Sequence, residues 1–362
     1  GNFDLRSDTG ISHAGGTKGS FANSGTLRKS AGNGVSSITG IHFTNNSTVW
    51  AQSGTLSFDD AVTNNGGTFQ ASPGASISFN GNNARAFGAN SRFVGGGAHA
   101  INAGSNAFGG DFTAQNLTFS GGTLTGPATL HGSLAWTGGD WISGSTFTVA
   151  TDGVLTLDGP GAKRLYHGSA ASGGRVLANE GTIILKGTGQ LQLGDGAQLT
   201  IARNATLDIR NDSTIGHTGS GNSGAVVNSG TIIKGTSNGT ATIAQPFTQT
   251  SDGKIVVNNG TLAFTSSFTN NNGGITVAHG AAISFGATFN TGAGALTGTG
   301  TIHAANVTAG GLVSPGSSPG TLTLTGNLSL LSTSTLLFEL GGNTPGVGYD
   351  LLSVGGSASL GG

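Results

Sequence analysis

The chain has 362 residues, of which only 8% are charged, with 14 Lys+Arg against 15 Asp+Glu and a net charge of −1. It has 69 glycines and 7 prolines but neither cysteine nor methionine, which excludes disulfides, thiolate chemistry and Cys-ligated metals. No basic stripe marks a nucleic-acid partner, and no apolar run approaches the roughly 18 residues of a membrane-spanning helix.

A chain that opens Gly1-Asn2-Phe3 is expected to be the remainder of a longer translation product. Residues 1–81 carry short alternating segments, such as Thr55-Leu56-Ser57-Phe58 and Ser76-Ile77-Ser78-Phe79, whose apolar members share one face. N-S-G, N-G, N-N-G-G and P-G corners interrupt them, and no window shows a helical period. This stretch is the first copy of a long repeat. NSGTLRKSAGNGVSSI at 23–38 returns as NSGTIIKGTSNGTATI at 228–243, so Asn23, Gly25, Thr26 and Lys29 recur as Asn228, Gly230, Thr231 and Lys234. Upstream, Asp4, Arg6, Asp8, Ile11 and His13 return as Asp208, Arg210, Asp212, Ile215 and His217. Such a long period implies stacked structural units.

Residues 82–204 have no second copy. They run from a Gly/Ala/Asn-rich stretch through strand-like NLTFSGGTLTG and LAWTGGDWISG to LKGTGQLQLGDGAQLTIARNATLDI. Residues 205–287 are the second copy, and residues 288–362 carry longer apolar runs. Gly-Thr followed by Leu, Ile or Phe opens strands at Gly25, Gly54, Gly67, Gly122, Gly181, Gly230, Gly260, Gly300 and Gly320. These spacings are too irregular for a hexapeptide coil. The pattern predicts an all-β, right-handed parallel β-helix (β-solenoid), one continuous rod of about 20 residues per turn, about 18 turns and roughly 85 Å at the inter-strand spacing.

The segments NSGTLRKSAG, FTNNSTVWAQSGTLSF, LAWTGGDWISG, SPGSSPGTLTLTGNLSL and YDLLSVGGSASLGG resemble the repeat modules of large secreted bacterial surface proteins. They are similar to autotransporter passengers and filamentous-haemagglutinin-type adhesins. The resemblance covers most of the chain and is one of pattern, without a catalytic signature. It implies a parallel β-helix, export and a structural or adhesive role. The family's C-terminal membrane barrel has no counterpart here.

Few residues suggest chemistry. Trp136 and Trp141 flank Asp140, an aromatic pair beside a carboxylate that would suit a glycan platform. The competing expectation is that one indole packs the interior and the other covers a corner. Asp59-Asp60 is the one adjacent acid pair, and a corner role fits it better than two converging catalytic carboxylates. Lys163-Arg164-Leu165-Tyr166-His167 reads as a solvated loop, and the eight histidines show no metal-ligand spacing. Thr321, Thr323 and Thr325 alternate as in an ice-binding ladder, a use that needs many stacked copies. Asn46 and Asn204 open N-x-S/T triplets that this composition produces by chance.

The function expected is a non-catalytic structural or adhesive segment of an extracellular bacterial protein. No cofactor or metal is expected. The expected partners are other copies joined end to end, or further turns of the same chain, and surface glycans. A polysaccharide-binding or polysaccharide-cleaving β-helix, and a phage fibre or spike, are the alternatives. Asn23, Gly25 and Thr26, with Asn228, Gly230 and Thr231, are expected at corners.

Overall fold

The computed structural model describes residues 1–142, 144–167, 174–218, 221–316 and 319–361. Ser143 of the LAWTGGDWISG stretch, with Ser317 and Ser318 of SPGSSPG, therefore falls outside the described residues. The chain forms two compact units, Gly1–Leu177 and Ala178–Gly362. Among the described residues there is no helix, and neighbouring strands pair in parallel, so each unit is a β-solenoid.

In the first unit each turn contributes three short strands, which stack into three columns. One column runs Asn2–Leu5, Thr26–Lys29, Thr48–Ala51, Thr68–Ala71 and Ser91–Val94. The second includes Val35–Thr39, Thr55–Phe58, Ser76–Phe79 and Ala98–Ile101. The third includes Gly19–Asn23, Ile41–Asn45, Val62–Asn64 and Ala84–Phe87. From Gly110–Phe119 through Ala128–Trp136 to Thr146–Leu157 the first two columns fuse into long strands with register shifts.

The second unit is built the same way. Its columns include Thr206–Ile209, Thr231–Lys234, Lys254–Val257 and Gly274–Val277; Thr214–His217, Thr240–Ile243, Thr261–Phe264 and Ala282–Phe285; and Ala225–Asn228, Phe247–Gln249 and Phe268–Asn270. Within its own unit the second copy pairs its strands as the first does, with Thr206–Ile209 against Thr231–Lys234 as Asn2–Leu5 is against Thr26–Lys29.

Alternation sorts the side chains. In Thr48–Ala51, Val49 and Ala51 are buried while Thr48 and Trp50 face out, and the same in-out pattern recurs in Thr26–Lys29 and Thr68–Ala71. The interior of the first unit is aromatic. Phe43, Phe58, Phe69, Phe79, Phe87, Phe93, Phe108 and Phe112 form an unbroken chain of ring contacts, with neighbouring centroids 4.7–6.3 Å apart. Full burial of each ring is worth about 1.5–3 kcal/mol.

The turns vary in length about the expected 20 residues. Along the first column, register partners Asn2, Thr26, Thr48, Thr68 and Arg92 are separated by 24, 22, 20 and 24 residues. In the second unit Thr182, Thr206, Thr231, Lys254 and Gly274 are separated by 24, 25, 23 and 20. Elsewhere register partners are as few as 17 residues apart, as between Thr123 and Asp140, and as many as 30, as between Thr321 and Leu351, so the expected 20-residue turn lies inside a wide range. Most strands stay at about four residues, so much of the variation lies in the corners.

Candidate functional site

The repeat residues lie where strands end and turns meet. Asn23 closes Gly19–Asn23 with its side chain turned inward. Its Oδ1 accepts the Gly25 N–H (3.3 Å), and its Nδ2 donates to the Thr48 carbonyl one turn on (2.8 Å). Asn228 repeats both bonds, with Gly230 N–H at 3.2 Å and the Lys254 carbonyl at 3.2 Å. In the first copy the amides also bond to each other: Asn23 Nδ2 donates to Asn45 Oδ1 (2.9 Å), and Asn45 Nδ2 to Asn64 Oδ1 (2.7 Å). All three are buried, so each bond satisfies groups that water cannot reach.

Gly25 and Gly230 are needed for close approach. A Cβ on Gly25 would fall on the Gly1 carbonyl, and one on Gly230 on the carbonyls of Ala202 and Ala205. Gly54 and Gly260, matched across the repeat, both adopt the left-handed region, at φ 59° and 62°. Thr26 and Thr231 open the next strands and face outward.

The same repeat encloses a buried cation, which the sequence matches contained without showing their pairing. Lys29 Nζ, wholly buried, donates to Asp8 Oδ1 (2.7 Å), Ser7 O (3.1 Å) and Ala31 O (3.0 Å). Asp8 Oδ1 also accepts the Gly34 N–H (3.0 Å). The Lys29 bond holds the Asp8 carboxyl below its ordinary range, assisted by the Gly34 amide. In the second copy the buried Lys234 Nζ meets Asp212 Oδ1 (3.2 Å) and Ser237 O and Oγ (2.6 Å each). There burial raises the Asp212 carboxyl, and hydrogen bonds from Ser237 and Lys234 outweigh it, leaving the pKa lowered.

Trp136 and Trp141 do not form a surface platform. Both are fully buried and stack on each other at 4.1 Å and 6°, with Phe147 against Trp141 at 4.3 Å and the Arg175 guanidinium 5.8 Å from the Trp141 ring. Each indole lies at an inward position of its strand, so neither offers a face to a sugar ring and neither is left to cover a corner. Trp136 Nε1 donates to the Gly138 carbonyl (3.0 Å). Asp140 points the other way, where it accepts from Arg164 Nε (2.8 Å) and the Tyr166 hydroxyl (3.3 Å).

The 163–167 segment is not a solvated loop. Lys163–Tyr166 is a strand, with Lys163 and Leu165 wholly buried because they take its inward positions. Asp60 is buried in a corner, bonded to Lys18 Nζ and the Ala61 N–H (2.8 Å each). Thr323 is in register with Thr301 and Ser353, and Thr321 with Leu351, so the threonine ladder stops at once. His13 is half-buried, with Nε2 3.2 Å from the Gly16 carbonyl, and His217 bonds the Leu193 carbonyl (3.2 Å). Among the described residues no three His, Asp or Glu side chains group as a metal site.

Two shallow polar depressions mark the outer surface. Asn90, Arg92, Asp111, Thr113 and His131 line one of about 230 Å³, where His131 Nδ1 is 2.7 Å from Asp152 Oδ1. The other, about 310 Å³, lies over stacked corners that include Arg203, Asn204, Gly230 and Asp252, with Arg203 Nη2 2.5 Å from Asp252 Oδ2.

No family model and no curated protein sequence matches the chain. Among solved structures it is similar to the crystal structure of a TibC-catalyzed hyper-glycosylated TibA fragment, at 13% identity and a TM-score of 0.30, over 99% of this chain and 100% of that one. At that distance no residue's role transfers.

Proposed function

We propose that the chain is a non-catalytic scaffold within a secreted bacterial surface protein, serving to present an adhesive outer face. The observation that carries this reading is what the repeat retains. Asn23/Asn228, Gly25/Gly230, Lys29/Lys234 and Asp8/Asp212 hold one turn to the next, and where Asn23, Gly25 and Gly230 reach the surface they border open depressions that bring no group of catalytic side chains together. Asp140 is engaged by Arg164 and Tyr166 on an open strand face. The pattern resemblance to exported adhesins points the same way.

The test is incubation with neutral and anionic polysaccharides, scored for new reducing ends and unsaturated products, beside antibody labelling of intact and permeabilised source cells. No product release and labelling of intact cells are expected. Turnover that disappears in Asp140→Ala, or labelling confined to permeabilised cells, would overturn the proposal.

A further inference from the structure

Trp136 and Trp141 are interior residues, but Trp50 lies at an outward position, half-buried. The parallel register places it in a file of outward side chains on successive turns: Asp4 against Arg28, Arg28 against Trp50, and Trp50 against Gln70. Beside it, two residues back along each strand, runs a second outward file of Thr26, Thr48 and Thr68. Trp50 Nε1 donates to Ser72 Oγ (3.1 Å), which fixes how the indole lies. Arg28 Nη2 donates to Asp4 Oδ2 (2.9 Å), and Arg6 Nε reaches the same oxygen (3.0 Å).

The repeat supplies an internal comparison. At the equivalent file of the second copy stand Asp208, Ile233, Val256 and Thr276. Asp208 keeps its bond to Arg210 (2.6 Å), as Asp4 does to Arg6, and the buried Lys, Asn and corner Gly of the two copies match. The coil is therefore content with β-branched residues at the outward positions, as strands generally are. Arg28, Trp50 and Gln70 are not needed to build it. An indole on an outer sheet face, with a guanidinium on one side and a carboxamide on the other, has the composition of a recognition patch.

We infer that the Asp4–Arg28–Trp50–Gln70 file, flanked by the threonine hydroxyls, is a binding site for a neutral oligosaccharide. A pyranose has an apolar C–H face that suits the indole and a rim of hydroxyls that suits Gln70, Arg28 and the Thr48 and Thr68 side chains. Successive turns are about 4.8 Å apart, comparable with one hexose of an extended glycan, so neighbouring sugars meet neighbouring turns. Arg28 is already ion-paired with Asp4, which Arg6 shares, and an acidic ligand would have to compete with that carboxylate for the guanidinium, which favours a neutral one. The site goes beyond the scaffold reading. Failure of binding leaves that reading standing, because it is judged by product release and cell labelling.

The experiment is titration of the whole chain with cellohexaose, chitohexaose and mannohexaose, followed by tryptophan fluorescence and by protection from iodide quenching. Trp50 is the outward-facing indole, so its signal reports the site. A saturable response to at least one hexasaccharide is expected. It should persist at 0.5 M NaCl, weaken about tenfold or more in Trp50→Ala, and weaken less in Gln70→Ala. A gain-of-function variant that rebuilds the file and its flank, Ile233→Arg/Val256→Trp/Thr276→Gln with Lys254→Thr, Gly274→Thr and Ala278→Ser, should raise the stoichiometry from one site towards two. No saturable response to any of the three sugars, undiminished affinity in a folded Trp50→Ala, or binding abolished by salt overturns the inference. If Trp50→Ala does not fold, the gain-of-function variant decides, and its failure to add a site overturns the inference.

Discussion

Replacing Lys29 by methionine removes an ammonium group while keeping most of the apolar stem. The three ammonium protons bond Asp8 Oδ1, Ser7 O and Ala31 O, and the side chain has no solvent exposure. The bond to the carboxylate is worth roughly 1.5–3 kcal/mol, and a carbonyl left without a donor costs about 1–3 kcal/mol more. Ser7 O keeps the Ser36 hydroxyl (3.0 Å), and Asp8, 48% exposed, can turn to water, so only Ala31 O loses its donor outright. The desolvation cost that the buried ammonium carries is recovered and offsets part of the loss. The net expectation is a destabilisation of about 2–3 kcal/mol, confined to neighbouring turns because a solenoid opens locally. Hydrogen exchange followed by mass spectrometry reads this directly. Amides of 26–39 should exchange about thirtyfold faster at neutral pH, and those of 231–243 should not change. The effect also has a pH signature. The Asp8 pKa is lowered from 3.8 in the folded chain, so between the folded value and 3.8 the unfolded state binds more protons. The pair's contribution is therefore present above pH 3.8 and lost as pH falls through the folded value, where the difference between wild type and variant should shrink to what the Ala31 carbonyl bond supplies. Unchanged exchange at neutral pH, or a difference that survives undiminished at acid pH, refutes the assignment of Lys29 and Asp8 as a stabilising pair.

Gly230→Ala places a methyl on the carbonyls of Ala202 and Ala205 and should cost more than about 1 kcal/mol in local exchange, whereas Gly274→Ala, with open space around its Cβ, should be tolerated. Trp136→Ala empties a fully buried site and should cost about 3–5 kcal/mol, with loss of the near-ultraviolet dichroism of the stacked indole pair. Asn45→Leu strands the buried amides of Asn23 and Asn64 and should cost about 1–3 kcal/mol by thermal denaturation of the first unit.

The coil itself was legible because its two signals are local. Alternation in Thr55–Phe58 or Ser76–Phe79 fixes which side chains go inward, and the Asn-Ser-Gly-Thr corners mark where strands stop. The matched pairs Asp8/Asp212 and Lys29/Lys234 were visible as identities, but the bond within each copy spans a turn of variable length, and no spacing rule gives it. Trp136 and Trp141 were misleading because the run between them, Thr-Gly-Gly-Asp, looks like an exposed turn. The turn is real, but the strands on either side aim both rings inward. Trp50 carried the opposite signal. Val49 and Ala51 are the apolar partners of its strand, so alternation alone places the indole outside.

Variable corners also explain why a chain with so little charge buries so much of it. Lys29, Arg85, Lys163, Arg175 and Lys234 are at most 2% exposed. Where successive turns differ in length, corner carbonyls lose the N–H that a regular stack would supply, and a buried carbonyl must find another donor. A long cationic side chain can reach it from a fixed strand position. Arg85 gathers the carbonyls of Asn80, Gly81 (3.2 Å) and Ala103 (2.8 Å), while Lys163 donates to Gly159 O (3.0 Å). Burial pushes the pKa of both cations down, and nearby aspartates partly restore it. The cation most densely bonded to carbonyls should then be the hardest to replace. Arg85→Met is expected to accelerate exchange in 79–108 more than Lys163→Met does in 157–166, because it orphans the carbonyls of Asn80 and Gly81 against one, Ala103 O keeping the Asn106 amide (3.1 Å). Equal effects would mean that these cations act through bulk alone and that the corner carbonyls are satisfied in some other way.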